Sequence, residues 1–142
     1  MLENLSIKNF VIVDHLELNF TSGFSALTGE TGAGKSILIG ALSLALGQRS
    51  ETGVVRHNTD KSDISATFNI KDNKYAQDWL KHSELESDED SLILRRVIYQ
   101  DGKSKGFING IPATINQLKS IGELLIDIYS QNSHHSLLKN ST

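Results

Sequence analysis

Gly29-Glu30-Thr31-Gly32-Ala33-Gly34-Lys35-Ser36 reads G-x-x-x-x-G-K-[ST], the pattern of a phosphate-binding loop. Its flanks fit. Phe24-Ser25-Ala26-Leu27-Thr28 before it is strand-like, and Ile37 to Leu46 after it is apolar and rich in helix formers, with Gly47 placed to end the helix. The first turn of a helix offers free N–H groups and the positive end of the helix dipole to an anion. Glycines at 29, 32 and 34 let successive N–H groups converge into a nest around phosphate oxygens. Lys35 is expected to reach the β- and γ-phosphates, and the Ser36 hydroxyl to ligate Mg²⁺. Gly29, Glu30, Thr31, Gly32, Ala33, Gly34, Lys35, Ser36 and Ile37 are therefore the candidate nucleotide contacts.

Composition narrows the partners. The chain has 142 residues, enough for one domain, and a net charge of −3, which argues against a nucleic-acid face built from bulk positive charge. No cysteine is present, so neither disulfides nor thiolate metal sites can form. The opening Met1-Leu2-Glu3-Asn4 has no basic or apolar signal-peptide region, and no apolar run is long enough to span a membrane. A cytoplasmic protein with no membrane partner is expected.

Along the chain, Leu5 and Ile7 share a strand face, Asn9 breaks the alternation, and Phe10 resumes it one place late. Leu16, Leu18 and Phe20 have period two. Residues 48–60 read as irregular. Ile64, Ala66, Phe68 and Ile70 form one strand face, and Asp72 or Asn73 is placed to cap a short helix carrying Trp79 as a core or lid contact. The acidic stretch 84–90 reads as a solvated loop. Strands are expected at 91–99 and 105–108, with Asn109-Gly110 as a type I′ turn and Pro112 where a central strand does not continue. Thr114 is an N-cap, Gly122 is expected to close that helix, and Leu124-Leu125-Ile126-Asp127-Ile128-Tyr129 is a candidate buried strand. Arg95, Arg96, Lys103 and Lys105 could form a basic patch, although adjacent strand residues face opposite sides and a solvated hairpin is the preferred reading. The expected fold is mixed α/β, with antiparallel early strands and a mixed later part.

Three stretches carry a resemblance: Leu5-Ser6-Ile7-Lys8-Asn9-Phe10, Leu27 to Ser36, and Ser104-Lys105-Gly106-Phe107-Ile108-Asn109-Gly110. Together they resemble the N-terminal head segment of the RecN family. These are bacterial double-strand-break repair proteins grouped with the structural maintenance of chromosomes (SMC) proteins, whose heads are ABC-type ATPases. The resemblance implies a P-loop fold and the first lobe, residues 1–142, of a split head. It implies ATP and Mg²⁺ as cofactors, and as partners the protein's own C-terminal lobe, a second head and DNA. It implies a nucleoid-associated location. By resemblance, Gln131 is the Q-loop glutamine that contacts Mg²⁺ and the attacking water, making Lys35 and Gln131 the catalytic candidates and Ser36 and Gln131 the metal ligands. Arg56 matches an arginine that reaches towards nucleotide, and Lys8 and Asn9 lie where the first strand approaches it. His134 and His135 read as surface or helix-start residues. The signature motif, the Walker B pair and the switch histidine of the family are missing from this sequence.

Two alternatives stay open. Asp127 after Leu124-Leu125-Ile126 imitates a Walker B strand, which would make the chain a complete small P-loop NTPase or kinase. The chain could also be a nucleotide-binding interaction module that never hydrolyses.

Overall fold

The computed structural model describes residues 2–20, 32–49, 53–86 and 90–130. Among these residues six strands form one sheet: β1 (Leu2–Phe10), β2 (Val13–Asn19), β3 (Lys61–Asn69), β4 (Ser91–Tyr99), β5 (Ser104–Ile108) and β6 (Ile111–Ala113). Their order is β2-β1-β3-β4-β5-β6, and every pairing is antiparallel. The expected mixed later part is therefore absent among the described residues. Among the described residues three helices accompany the sheet: α1 (Gly32–Ala45), α2 (Lys74–His82) and α3 (Ile115–Ser130).

Period-two burial decides which face the helices cover. In β3, Ser62, Ile64, Ala66 and Phe68 are buried, and in β4 Leu92, Leu94 and Ile98 are buried. α1 lies on β1, β3 and β4, and α3 lies on β5. Leu38, Ala41, Leu44 and Ala45 of α1 join this core at helical spacing. Each fully buried leucine contributes about 2 kcal/mol of transfer free energy.

The break at Asn9 has a backbone cause. Asn9 takes φ +53°, so Phe10 rather than residue 9 turns to the buried face, and Phe10 pairs with Val13 across the turn. Gly102 (φ +92°) and Asn109-Gly110 (φ +52° and +81°) make the turns of the β4–β5–β6 meander. Pro112 sits in the short edge strand β6, where its missing N–H is harmless.

The helix caps follow the sequence. The Asn73 side chain accepts the Ala76 N–H at 3.0 Å. At α3, Thr114 Oγ1 accepts the Gln117 N–H at 3.0 Å while Gln117 Oε1 accepts the Thr114 N–H at 2.9 Å, a capping box. Asn73→Ala is expected to cost about 1 kcal/mol, or about 4 °C in Tm by calorimetry. An unchanged Tm would show that this cap adds nothing.

One element differs from expectation. α3 runs through Gly122 to Ser130, so Leu124 to Tyr129 is helix and not strand. Leu118, Ile121, Gly122 and Leu125 are buried, the i, i+3, i+4, i+7 pattern of a helix, and the adjacent apolar pair at 124–125 had imitated a strand. Gly122 is the point where another chain segment passes: a Cβ there would lie 2.8 Å from the Leu46 carbonyl oxygen. Asp127 on a helix cannot end a Walker B strand, which removes the small-enzyme alternative's acid.

Candidate nucleotide-binding site

Gly32, Ala33, Gly34 and Lys35 open α1, and the Ser36 residue is exposed one turn in, with Ile37 half-buried. The first turn carries no acidic residue, so nothing there repels a phosphate from the N–H groups of the helix end. That donor set suits the phosphates of ATP, and a free serine hydroxyl suits Mg²⁺. Gly29, Glu30, Thr31 and Gln131 lie outside the described residues, as do the side chains of residues 32–35, the strand expected at 24–28, and His134 and His135.

The other end of α1 is closed by a Schellman turn. Gly47 (φ +92°) donates its N–H to the Leu44 carbonyl at 3.1 Å, and Gln48 donates to Ser43 at 3.1 Å. Gly47 ends the helix as the sequence implied.

Two of the three remaining cofactor candidates meet through the backbone. The Asn9 carbonyl accepts the Arg56 N–H at 2.8 Å, Val11 donates to the Val54 carbonyl at 2.7 Å, and Phe10 bridges to Val55. Lys8 is exposed on β1, and its carbonyl accepts the Ser62 hydroxyl at 3.1 Å. Val11 holds φ +55°, an unfavourable region for a β-branched residue. Beside it Ile12 is 78% exposed at the β1–β2 turn. A concave surface of about 490 Å³ lies here, lined by Val11, Ile12, Arg56, His57, Asn58 and Thr59. The Arg56 guanidinium faces Asp14 at 3.5 Å in an exposed pair of little energetic weight. Gln100 fixes this loop by donating its side-chain N–H to the Thr59 carbonyl at 2.9 Å. Neither Asp14 nor Gln100 carried a sequence signal, because both act on a segment far away in the chain.

The basic quartet of the hairpin does not gather. Arg95 makes a two-point contact with Asp63 (3.0 and 2.6 Å) and lies 5.2 Å over the Phe107 ring. The hydrogen bond and charge of Asp63 raise its pKa, against the opposing effect of burial. Arg96 is 3% exposed on the opposite face. It donates to the Leu44 carbonyl at 3.0 Å, to the Gln48 carbonyl, and to the Ser104 hydroxyl at 3.3–3.4 Å. Burial pushes its pKa down, yet a guanidinium remains charged. Lys103 and Lys105 stay exposed. Among the described residues no group of three His, Cys, Asp or Glu could hold a metal ion, and no helix is long and apolar enough to cross a membrane.

A family profile described as an AAA domain matches residues 4–140. The chain belongs to the AAA domain family. This AAA domain is 49% identical over 139 residues to the DNA repair protein RecN of Vibrio cholerae, covering 98% of the chain and 25% of that protein. It is 46% identical to the RecN of Haemophilus influenzae, covering 99% of the chain and again 25% of the relative. The chain thus spans about a quarter of the length of these proteins, and the resemblance drawn from residues 5–10, 27–36 and 104–110 holds over nearly all of it. Among solved structures, one from a study of ATP-driven dimerization and DNA-stimulated activation of SMC ATPases superposes with a TM-score of 0.67. It is 24% identical and covers 88% of this chain and 79% of that one. The fold of the AAA domain is that of an SMC ATPase head, in its antiparallel first part.

Proposed function

We propose that this AAA domain is the ATP-binding first lobe of a split ATPase head, residues 1–142, in a cytoplasmic DNA-repair protein. The observation that carries the reading is the helix α1: a glycine-rich first turn without carboxylates, on a helix held against three strands. In this reading the N–H groups of Gly29 to Ser36 cradle the phosphates and Lys35 neutralises their charge. Ser36 and Gln131 hold Mg²⁺, which when bound supplies charge neutralisation at the β- and γ-phosphates. Arg56 and Asn9, joined through the backbone, and Lys8 beside Asn9 are assigned to the nucleotide in the same reading. Engagement of a second head through nucleotide, and of DNA by the complete protein, follow from the SMC-like relationship.

Hydrolysis in this reading needs a carboxylate at the end of an apolar strand beside the phosphates, and the sequence's candidate for it, Asp127, is helical. The isolated chain is therefore expected to bind ATP and not turn it over, and hydrolysis is expected to return when the remainder of the protein is added. Phosphate release by the chain alone, abolished by Asp127→Ala and indifferent to Gln131→Ala, would overturn the split-head reading. Binding without turnover even with the remainder present would favour the non-hydrolysing module instead.

A further inference from the structure

The β4 face that packs on α1 is apolar at Leu94 and Ile98, and between them stands Arg96. A buried cation costs several kcal/mol in desolvation, and a hydrophobic residue would pack there without that cost. What Arg96 gains is a set of acceptors at the negative end of α1: the carbonyls of Leu44 and Gln48, on either side of the Schellman turn. α1 supplies no basic residue of its own in its last turn. The Ser104 hydroxyl on β5 accepts from Nε and Nη2 and orients the guanidinium. A second observation marks the same end as closely built. A Cβ on Gly47 would lie 2.5 Å from the Lys119 backbone nitrogen, and one on Gly122 would lie 2.8 Å from the Leu46 carbonyl. The end of α1 and the first half of α3 therefore touch backbone to backbone.

We propose that Arg96 is a positioning residue for the nucleotide site, holding with Ser104 the far end of the loop helix in a fixed socket. The inference rests on the nucleotide-binding reading above. At about 1.5 Å per residue, α1 is about 20 Å long, so a pivot of about 5° at its end moves the loop by roughly 2 Å. Misplacement of about 1 Å is enough to degrade a phosphate cradle severely. The guanidinium resists that pivot because Nη1 holds both carbonyls while Nε and Nη2 hold Ser104, tying the helix end to β5. A lysine keeps the charge but has a single point of attachment.

The test compares Arg96→Lys, Arg96→Met and Ser104→Ala with a control, Ile108→Val, which trims the same sheet away from the socket. Nucleotide affinity is measured with a fluorescent ATP analogue, well below each variant's Tm, beside amide hydrogen exchange. Arg96→Lys and Ser104→Ala are expected to weaken binding at least about fivefold, while the control at a similar loss of Tm stays within about twofold. Exchange is expected to speed up at residues 44–48 and again in the first turn of α1. Should Arg96→Met fail to fold, the two milder variants carry the comparison. Unchanged affinity in both, with the wild type binding normally, overturns the positioning role alone. A wild-type chain that does not bind the analogue overturns the nucleotide reading and this inference with it.

Discussion

Lys35→Ala is expected to lower the affinity of the chain for ATP on the order of 100-fold, from the ~2–3 kcal/mol that charge-assisted hydrogen bonds to a phosphate contribute. The loss falls on binding and not on folding. A lysine beside the positive end of a helix dipole is unfavourable to the empty helix, so removing it leaves the unliganded Tm unchanged or slightly raised. Titration calorimetry reads the affinity directly. Thermal melts give a second reading, because a ligand at about 100 times its Kd stabilises the folded state by about 2.7 kcal/mol. ATP should raise the Tm of the wild-type chain and leave that of the variant almost still. Affinity within about twofold of wild type would remove the phosphate loop as the nucleotide site. The experiment cannot separate a hydrolysing head from a passive binder, which is why the turnover comparison with the remainder of the protein stands beside it.

Gly47→Ala is expected to be among the most damaging single-methyl additions in the chain, at about 3–5 kcal/mol. Two costs combine. A residue with a Cβ at φ +92° is strained by about 1–2 kcal/mol. The new methyl then meets Lys119 N at 2.5 Å and Lys119 Cα at 2.7 Å, backbone atoms of α3 that no rotamer change can move. Gly53 and Gly102 provide the controls, since both have positive φ (+85° and +92°) and nothing within 4 Å of the position a Cβ would take. Alanine at either should cost only the backbone strain, about 1–2 kcal/mol. Urea denaturation of the three variants separates the terms. Equal losses at all three positions would mean that α1 and α3 do not meet as closely as described.

What could be read from the sequence was what depends on near neighbours. The alternation at Ile64, Ala66 and Phe68, the turn at Asn109-Gly110, and the caps at Asn73 and Thr114 each rest on residues within a few positions of one another. The helix end at Gly47 was legible for the same reason. The errors arose where a distant segment decided the outcome. Gly122 looked like a terminator because glycine after an apolar run commonly is one, yet what requires a glycine here is the passage of Leu46, far earlier in the chain. Arg96 reads from the sequence as part of a solvated hairpin, and its partners are carbonyls 48 and 52 positions away that leave no mark on side-chain pattern. At the site itself the phosphate loop was plain as a motif, whereas the joining of Asn9 to Arg56 needed the register of two segments to be known.

The order of the sheet has a consequence for how this molecule assembles. β2 with β1, and β3 through β6 in turn, pair with chain neighbours and can zip up from local encounters. Only the β1–β3 seam joins the two groups, and the connection it closes contains the whole of α1. Since α1 rests on both sides of that seam, its burial must accompany the slowest pairing. The helix α1 would then take its final place last, set by the pairing of strands far apart in the chain.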